Sequence, residues 1–165
     1  MTLPARSYGL MVRRKMGRRH MGEDNVSLIR AIYKSFEQGD MDGVFDRLDE
    51  DIDWREPAGY FASTGGLPGH AGVKNALERY PEVWGRFDLV PETFIAAGEH
   101  VVVLGSQSGE AGATGREFQG RFANVWRVEG GKAVSFEAFG DTALMWLAMG
   151  EQPDESVLEG GEDNR

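Results

Sequence analysis

Cysteine is absent from the 165 residues, which excludes disulfides, thiolate nucleophiles and every cysteine-based metal site. Only three histidines are present, His20, His70 and His100, and with no Cys/His ligand spacing around them neither a metal nor a cofactor is expected. No apolar run approaches the roughly 20 residues of a membrane span, and the N-terminus lacks the apolar core of a secretory signal. The expectation is a soluble cytoplasmic protein with no membrane partner. Its length suits one domain with a real core and is too short for two comfortable ones.

Acidic groups dominate the balance, with a net charge of −9, yet residues 1–22 hold Arg6, Arg13, Arg14, Lys15, Arg18 and Arg19 and no acid, so the remainder carries −15. A body this negative repels phosphate backbones, so nucleic acid is not expected as a partner. The basic stretch reads as a disordered arm over residues 1–22, from a start placed upstream of the domain with Met11, Met16 or Met21 as later starts; a transit peptide or surface tether is the alternative. Residues 151–165 are acidic, Gly-rich and poor in large apolar residues, the composition of a disordered tail. The domain is therefore expected over residues 23–150.

What is abundant is strand-period patterning between Gly115 and Thr142. Alternate residues put Phe118, Gly120, Phe122, Asn124, Trp126 and Val128 on one face, the inner one, and charged or smaller residues on the other. Gly130-Gly131 supplies a tight turn, and Lys132 to Phe139 returns as the partner strand. Asn124 is thus a polar residue in an apolar row, either a satisfied structural amide or a donor aimed into a cavity. Upstream, Val26, Ile29, Ile32, Tyr33 and Phe36 recur at helical spacing before Gly39, and Asp40 caps a short second helix that runs into an acidic turn at Asp49 to Asp51. Ile52, Trp54 and Glu56 share one face of a strand ended by Pro57, which sets a carboxylate in apolar company. Residues 58–69 read as a loop long enough for a lid. A third helix starts near His70 and continues through Val83, Trp84 and Phe87, followed by strands over about 88–96 and 100–107. Asp141-Thr142 opens a last helix.

Helices followed by a run of strands predict an α+β fold, a curved, mostly antiparallel sheet with helices packed on one face. Such a sheet encloses a pocket lined by Trp54, Glu56, Phe122, Asn124 and Trp126, an apolar cavity with few polar groups that suits a hydrophobic small molecule.

The segments YKSFEQGD, DWREPAG, LPGHAGVKNAL, FANVWRVEGGK and FGDTALMWLAMG resemble the SnoaL-like and ketosteroid-isomerase-like branch of the nuclear transport factor 2-like superfamily, over about residues 25–150. The resemblance implies a cone-shaped α+β barrel, often a homodimer through the outer sheet face, here the face of Gln119, Arg121, Val125 and Arg127 with Arg55 beside it. It implies that Glu56, in Glu56-Pro57-Ala58-Gly59, stands where ketosteroid isomerases carry their general base, and Asn124 where they carry a protonated oxyanion-hole Asp. Their oxyanion-hole tyrosine falls by count at Ile32, with Tyr33 one residue away. Asp141 matches the acid/base Asp that precedes the terminal helix of polyketide cyclases, although an Asp there is also the commonest N-cap. The arginine that epoxide hydrolases need between two carboxylates is missing, since Arg121 and Arg127 fall on the outer parity. His70 is expected at the pocket mouth. Two functions follow: an isomerase- or cyclase-type enzyme abstracting a proton next to a carbonyl, with Glu56, Asn124 and Asp141 as catalytic candidates and Trp54, Tyr33, Phe122, Trp126 and His70 binding substrate; or a ligand-binding domain without chemistry.

Overall fold

The computed structural model describes residues 16–57, 60–62 and 64–150. The elements run α1 (Met16–Gln38), α2 (Met41–Phe45), β1 (Leu48–Arg55), α3 (Gly69–Glu78), α4 (Tyr80–Val83), β2 (Trp84–Ala97), β3 (His100–Ala111), β4 (Glu117–Glu129), β5 (Lys132–Gly140) and α5 (Thr142–Met149). The acidic tail and residues 1–15 of the basic arm lie outside the described residues, while α1 begins at Met16, within the stretch assigned to the arm. No helix among the described residues is long and apolar enough to cross a membrane.

The five strands form one sheet in the order β1-β5-β4-β3-β2. Every pairing is antiparallel except β1 with β5. The sheet is curved and unclosed, with β1 and β2 as its edges, and the helices pack against it in the expected α+β arrangement. The hairpin from β4 to β5 turns at Gly130 and Gly131, whose φ angles of 57° and 81° are the paired positive values a two-residue turn requires. Along β4 the inner row is buried as its period demands, Phe118, Phe122, Asn124, Trp126 and Val128 all facing inward.

Helix α1 lays Ile29 and Ile32 against this row, both without solvent exposure, because apolar residues at three- and four-residue spacing make one face. Gly39 ends it at φ 68°, and Asp40 caps α2 by accepting from the Gly43 amide at 2.9 Å. The sheet curves closely enough that some inner positions hold no side chain: a Cβ on Gly105 would lie 2.2 Å from the Val90 carbonyl oxygen and 2.5 Å from the Phe122 ring.

Two local expectations are corrected. Asp49 to Asp51 are not a turn but part of β1, in the stretch where pairing with β5 skips from Leu48 to Asp53; an edge strand leaves such side chains in water, so acids there cost little. Trp84 and Phe87 do not extend a helix but start β2, Trp84 pairing with Ala111 and Phe87 with Gly109. Pro81 opens only a single turn, and the free edge of β3 then draws the chain into strand geometry. Both aromatics, with Tyr60, Phe61, Tyr80 and Phe118, form a second apolar cluster.

Gly105→Ala should therefore lower stability by about 2 kcal/mol or more, as overpacking against backbone does, read as a reduced urea midpoint. Gly85→Ala is the control, because a Cβ there meets nothing closer than 3.8 Å.

Candidate functional site

The inner face of the sheet, α1 and the chain around Tyr60 and Tyr80 enclose a cavity of about 940 Å³. Its walls are aromatic. Trp54 stacks on Phe136 at 3.9 Å between centroids and meets Trp126 edge-on at 5.8 Å, while Tyr33 contacts Phe94 edge-on at 5.8 Å. Such pairs lock one another's rotamers and leave a rigid, apolar slot. All five residues expected to line the pocket do so: Trp54, Glu56, Phe122, Asn124 and Trp126.

Glu56 follows the last residue of β1 and keeps the inward alternation that began at Ile52 and Trp54. Its Oε1 accepts from the Trp54 indole at 2.9 Å. The side chain lines the cavity, whose apolar walls limit the hydration a charge would need. Burial therefore raises its pKa to about 8, and the Trp54 hydrogen bond offsets only part of that rise.

Tyr33, on α1, brings the opposite wall into the site. Its hydroxyl accepts from Asn124 Nδ2 at 2.8 Å and from Trp126 Nε1 at 3.3 Å. With both acceptor positions taken by N–H groups, the hydroxyl's own hydrogen is left to point at a ligand. Burial lifts the Tyr33 pKa to about 12, so the group stays a donor at any working pH. Counting along the sequence set Ile32 at the tyrosine position, but Ile32 is fully buried in the core and Tyr33 is the residue that reaches Asn124. Asn124 is thus both satisfied and part of the cavity wall.

The other expected residues fall elsewhere. His70 rests its ring on Phe45 at 5.0 Å, with Nε2 3.4 Å from the Leu48 carbonyl oxygen, and is not among the cavity-lining residues. Asp141 opens α5 without a capping hydrogen bond from its side chain; its Oδ2 instead accepts from the Arg121 amide at 3.0 Å, in space that Gly120 leaves open. It too is outside the lining, although its neighbours Gly140 and Thr142 are within it. Arg121 pairs with Glu92 and Arg127 with Glu129 on the outer face, as their parity predicts.

Many of the lining residues carried no functional expectation. Tyr60 and Tyr80 hold their hydroxyls 3.4 Å apart, both with pKa values raised by burial. Arg30 lies at the rim with its guanidinium 4.0 Å from the Phe94 ring centroid. Gln107 also lines the cavity, on the inner parity of Val101, Val103 and Gly105 that pairing with β4 sets.

A family model described as a SnoaL-like domain matches residues 29–136. Among solved structures, a nuclear transport factor 2-like protein of unknown function from Burkholderia pseudomallei is 35% identical over 76% of this chain and 97% of its own, with a TM-score of 0.68. A nuclear transport factor 2-like protein from Burkholderia thailandensis is 31% identical over 78% of this chain and 98% of its own, TM-score 0.67. TerC, crystallised with polyporic acid, is 30% identical over 78% of this chain and 99% of its own, TM-score 0.68. No curated protein matches. With its five-stranded curved sheet and aromatic cavity, the chain belongs to the SnoaL-like domain family of the nuclear transport factor 2-like fold.

Proposed function

We propose that the cavity binds a hydrophobic carbonyl compound and that Glu56 removes a proton from the carbon next to the carbonyl. The observation that carries this reading is the pairing, in one apolar cavity, of a carboxyl group with its pKa raised to about 8 and a tyrosine hydroxyl whose hydrogen is unspent. In the step, the C–H bond breaks, its proton passes to the Glu56 carboxylate and its electron pair forms the C=C bond of an enolate. The charge gathering on oxygen is met by the Tyr33 O–H, which Asn124 and Trp126 orient and polarise. Return of the proton to another carbon completes an isomerisation; attack of the enolate carbon on a second carbonyl of the same molecule completes a cyclisation. The co-crystallisation of TerC with polyporic acid supports an organic small molecule as the ligand. His70 and Asp141 have no part in this reading.

The same proposal includes a homodimer through the outer sheet face. Val102, Leu104, Ala123 and Val125 are only partly covered there, and the flanking Arg121 and Arg127 are already paired within the chain. Val125→Glu should place a charge among these residues and yield a monomer by light scattering where wild type is a dimer. A monomeric wild type would remove the premise.

For the chemistry, exchange of α-protons for deuterium in a panel of ketones and β-dicarbonyls, followed by NMR, is the direct assay. Glu56→Gln keeps size and should slow exchange by roughly 10² to 10⁴, the span typical of general-base loss, with ligand affinity nearly constant. A base must be ionised, so the wild-type rate should climb with pH and level off above about 8. Exchange that survives the substitution would clear Glu56 of the role, and a substitution that changes affinity alone would mark a binding domain without chemistry.

Stability gives an independent check on the environment of Glu56. Its folded pKa of about 8 stands above the ordinary 4.5, so between those values the folded chain holds a proton that the unfolded chain has released. Stability therefore falls as pH rises through that window. Glu56→Gln has no proton to lose: its thermal midpoint should match wild type at or below about pH 4.5 and exceed it by a margin that grows up to about pH 8. A constant difference across the series would show that the carboxyl ionises freely.

A further inference from the structure

The inner row of β3 carries one polar residue, Gln107, whose placement the proton-transfer reading leaves unused. Its side chain is buried, with 7% of the residue exposed, and it lines the cavity. No hydrogen bond joins its amide to another described residue, and the amide is not sealed off but open to the cavity. A ligand that strips this amide of solvent must supply hydrogen bonds in return or leave it unpaired, which disfavours a ligand with no polar atom to offer there.

The surrounding backbone is built around this amide. Gln107 pairs across the sheet with Gly120, and its Nε2 lies where a Cβ on Gly140 would approach to 2.8 Å. Strand β5 thus carries glycine where the side chain passes. Gly140 in turn pairs with Phe122, one inward position from Asn124. At the rise of a strand, two residues separate the amide from the Tyr33–Asn124 group by roughly 7 Å along β4. Phe122 stands between the two polar stations as an aromatic wall.

We propose that Gln107 is a specificity-determining residue of the cavity, anchoring a second oxygen of the ligand. With the Tyr33 hydroxyl it selects cyclic carbonyl compounds that carry another hydroxyl or carbonyl across the ring from the reacting one. A primary amide offers both N–H donors and a carbonyl acceptor, so it serves either oxygen function. A site whose buried polar groups await a partner discriminates against the analogue lacking that partner, because binding it leaves the amide dry and unpaired. The inference rests on the carbonyl-binding reading of the cavity but needs binding alone, not proton transfer.

The test compares 4-hydroxy-1-tetralone with 1-tetralone, which differ by one hydroxyl across the ring, by calorimetric titration of wild type and of Glu56→Gln. Both proteins should bind the hydroxylated ketone about tenfold more tightly. Gln107→Leu should bring the ratio to about 1 while keeping a cooperative thermal transition. Gly140→Ala provides a second route, because its Cβ displaces the amide without deleting it and should erode the same preference. Equal affinities in wild type, or a preference that survives Gln107→Leu, would overturn the role of Gln107 and leave the proton-transfer reading standing. Binding of neither ketone would overturn both. A Gln107-dependent preference alongside Glu56-independent exchange would fail the proton-transfer reading alone.

Discussion

The hydroxyl of Tyr33 is the point on which the site depends. Among the described residues it is the one group that ties α1 to the middle of β4 by hydrogen bonds rather than by apolar contact, and it accepts from both Asn124 and Trp126. A buried amide and a buried indole would each be costly if left unpaired. Meeting them with a single oxygen satisfies both and leaves that oxygen with one hydrogen and one direction in which to offer it. The geometry that stabilises the helix–sheet contact is thus the geometry that presents a donor to the cavity.

The aromatic walls act on Glu56 in a complementary way. Trp54, Phe136 and Trp126 hold one another in fixed rotamers, so the cavity keeps its shape without a ligand. The same rings withhold water from the carboxyl, and no basic residue among those described pairs with it, so its proton is retained well past the ordinary carboxylate range. Preformed space requires backbone as well as side chains: Gly105 makes way for Phe122, Gly120 for Asp141 and Gly140 for Gln107. A curved sheet brings neighbouring inner positions together, and a glycine between larger groups relieves the crowding that curvature produces.

How much of this was legible in the sequence can be judged from particular residues. The phase of β4 was unambiguous because Phe118, Phe122, Trp126 and Val128 alternate with polar residues, and Asn124 stood out in that row. Glu56 was legible for the same reason, two residues beyond Trp54. In β3 the run Val101-Val102-Val103-Leu104 is apolar at both parities, so Gln107 had no clear side until pairing with β4 set it inward. Trp84 and Phe87 suited either a helix or a strand, and the hydrogen-bonding edge of β3 decided between them.

By itself the sequence determined the α+β order of elements, the buried face of β4 and the presence of a carboxylate and an amide among aromatic residues, because strand and helix periods are local properties of the chain. Only the tertiary structure decided that Tyr33 rather than Ile32 meets Asn124, that His70 and Asp141 stand outside the cavity, and that Gln107 lies within it. Those outcomes depend on the rotation of α1 about its axis, on where α3 and α5 join the sheet and on the register between β3 and β4. Each is set by packing between segments distant along the chain, and no period within any one segment encodes it.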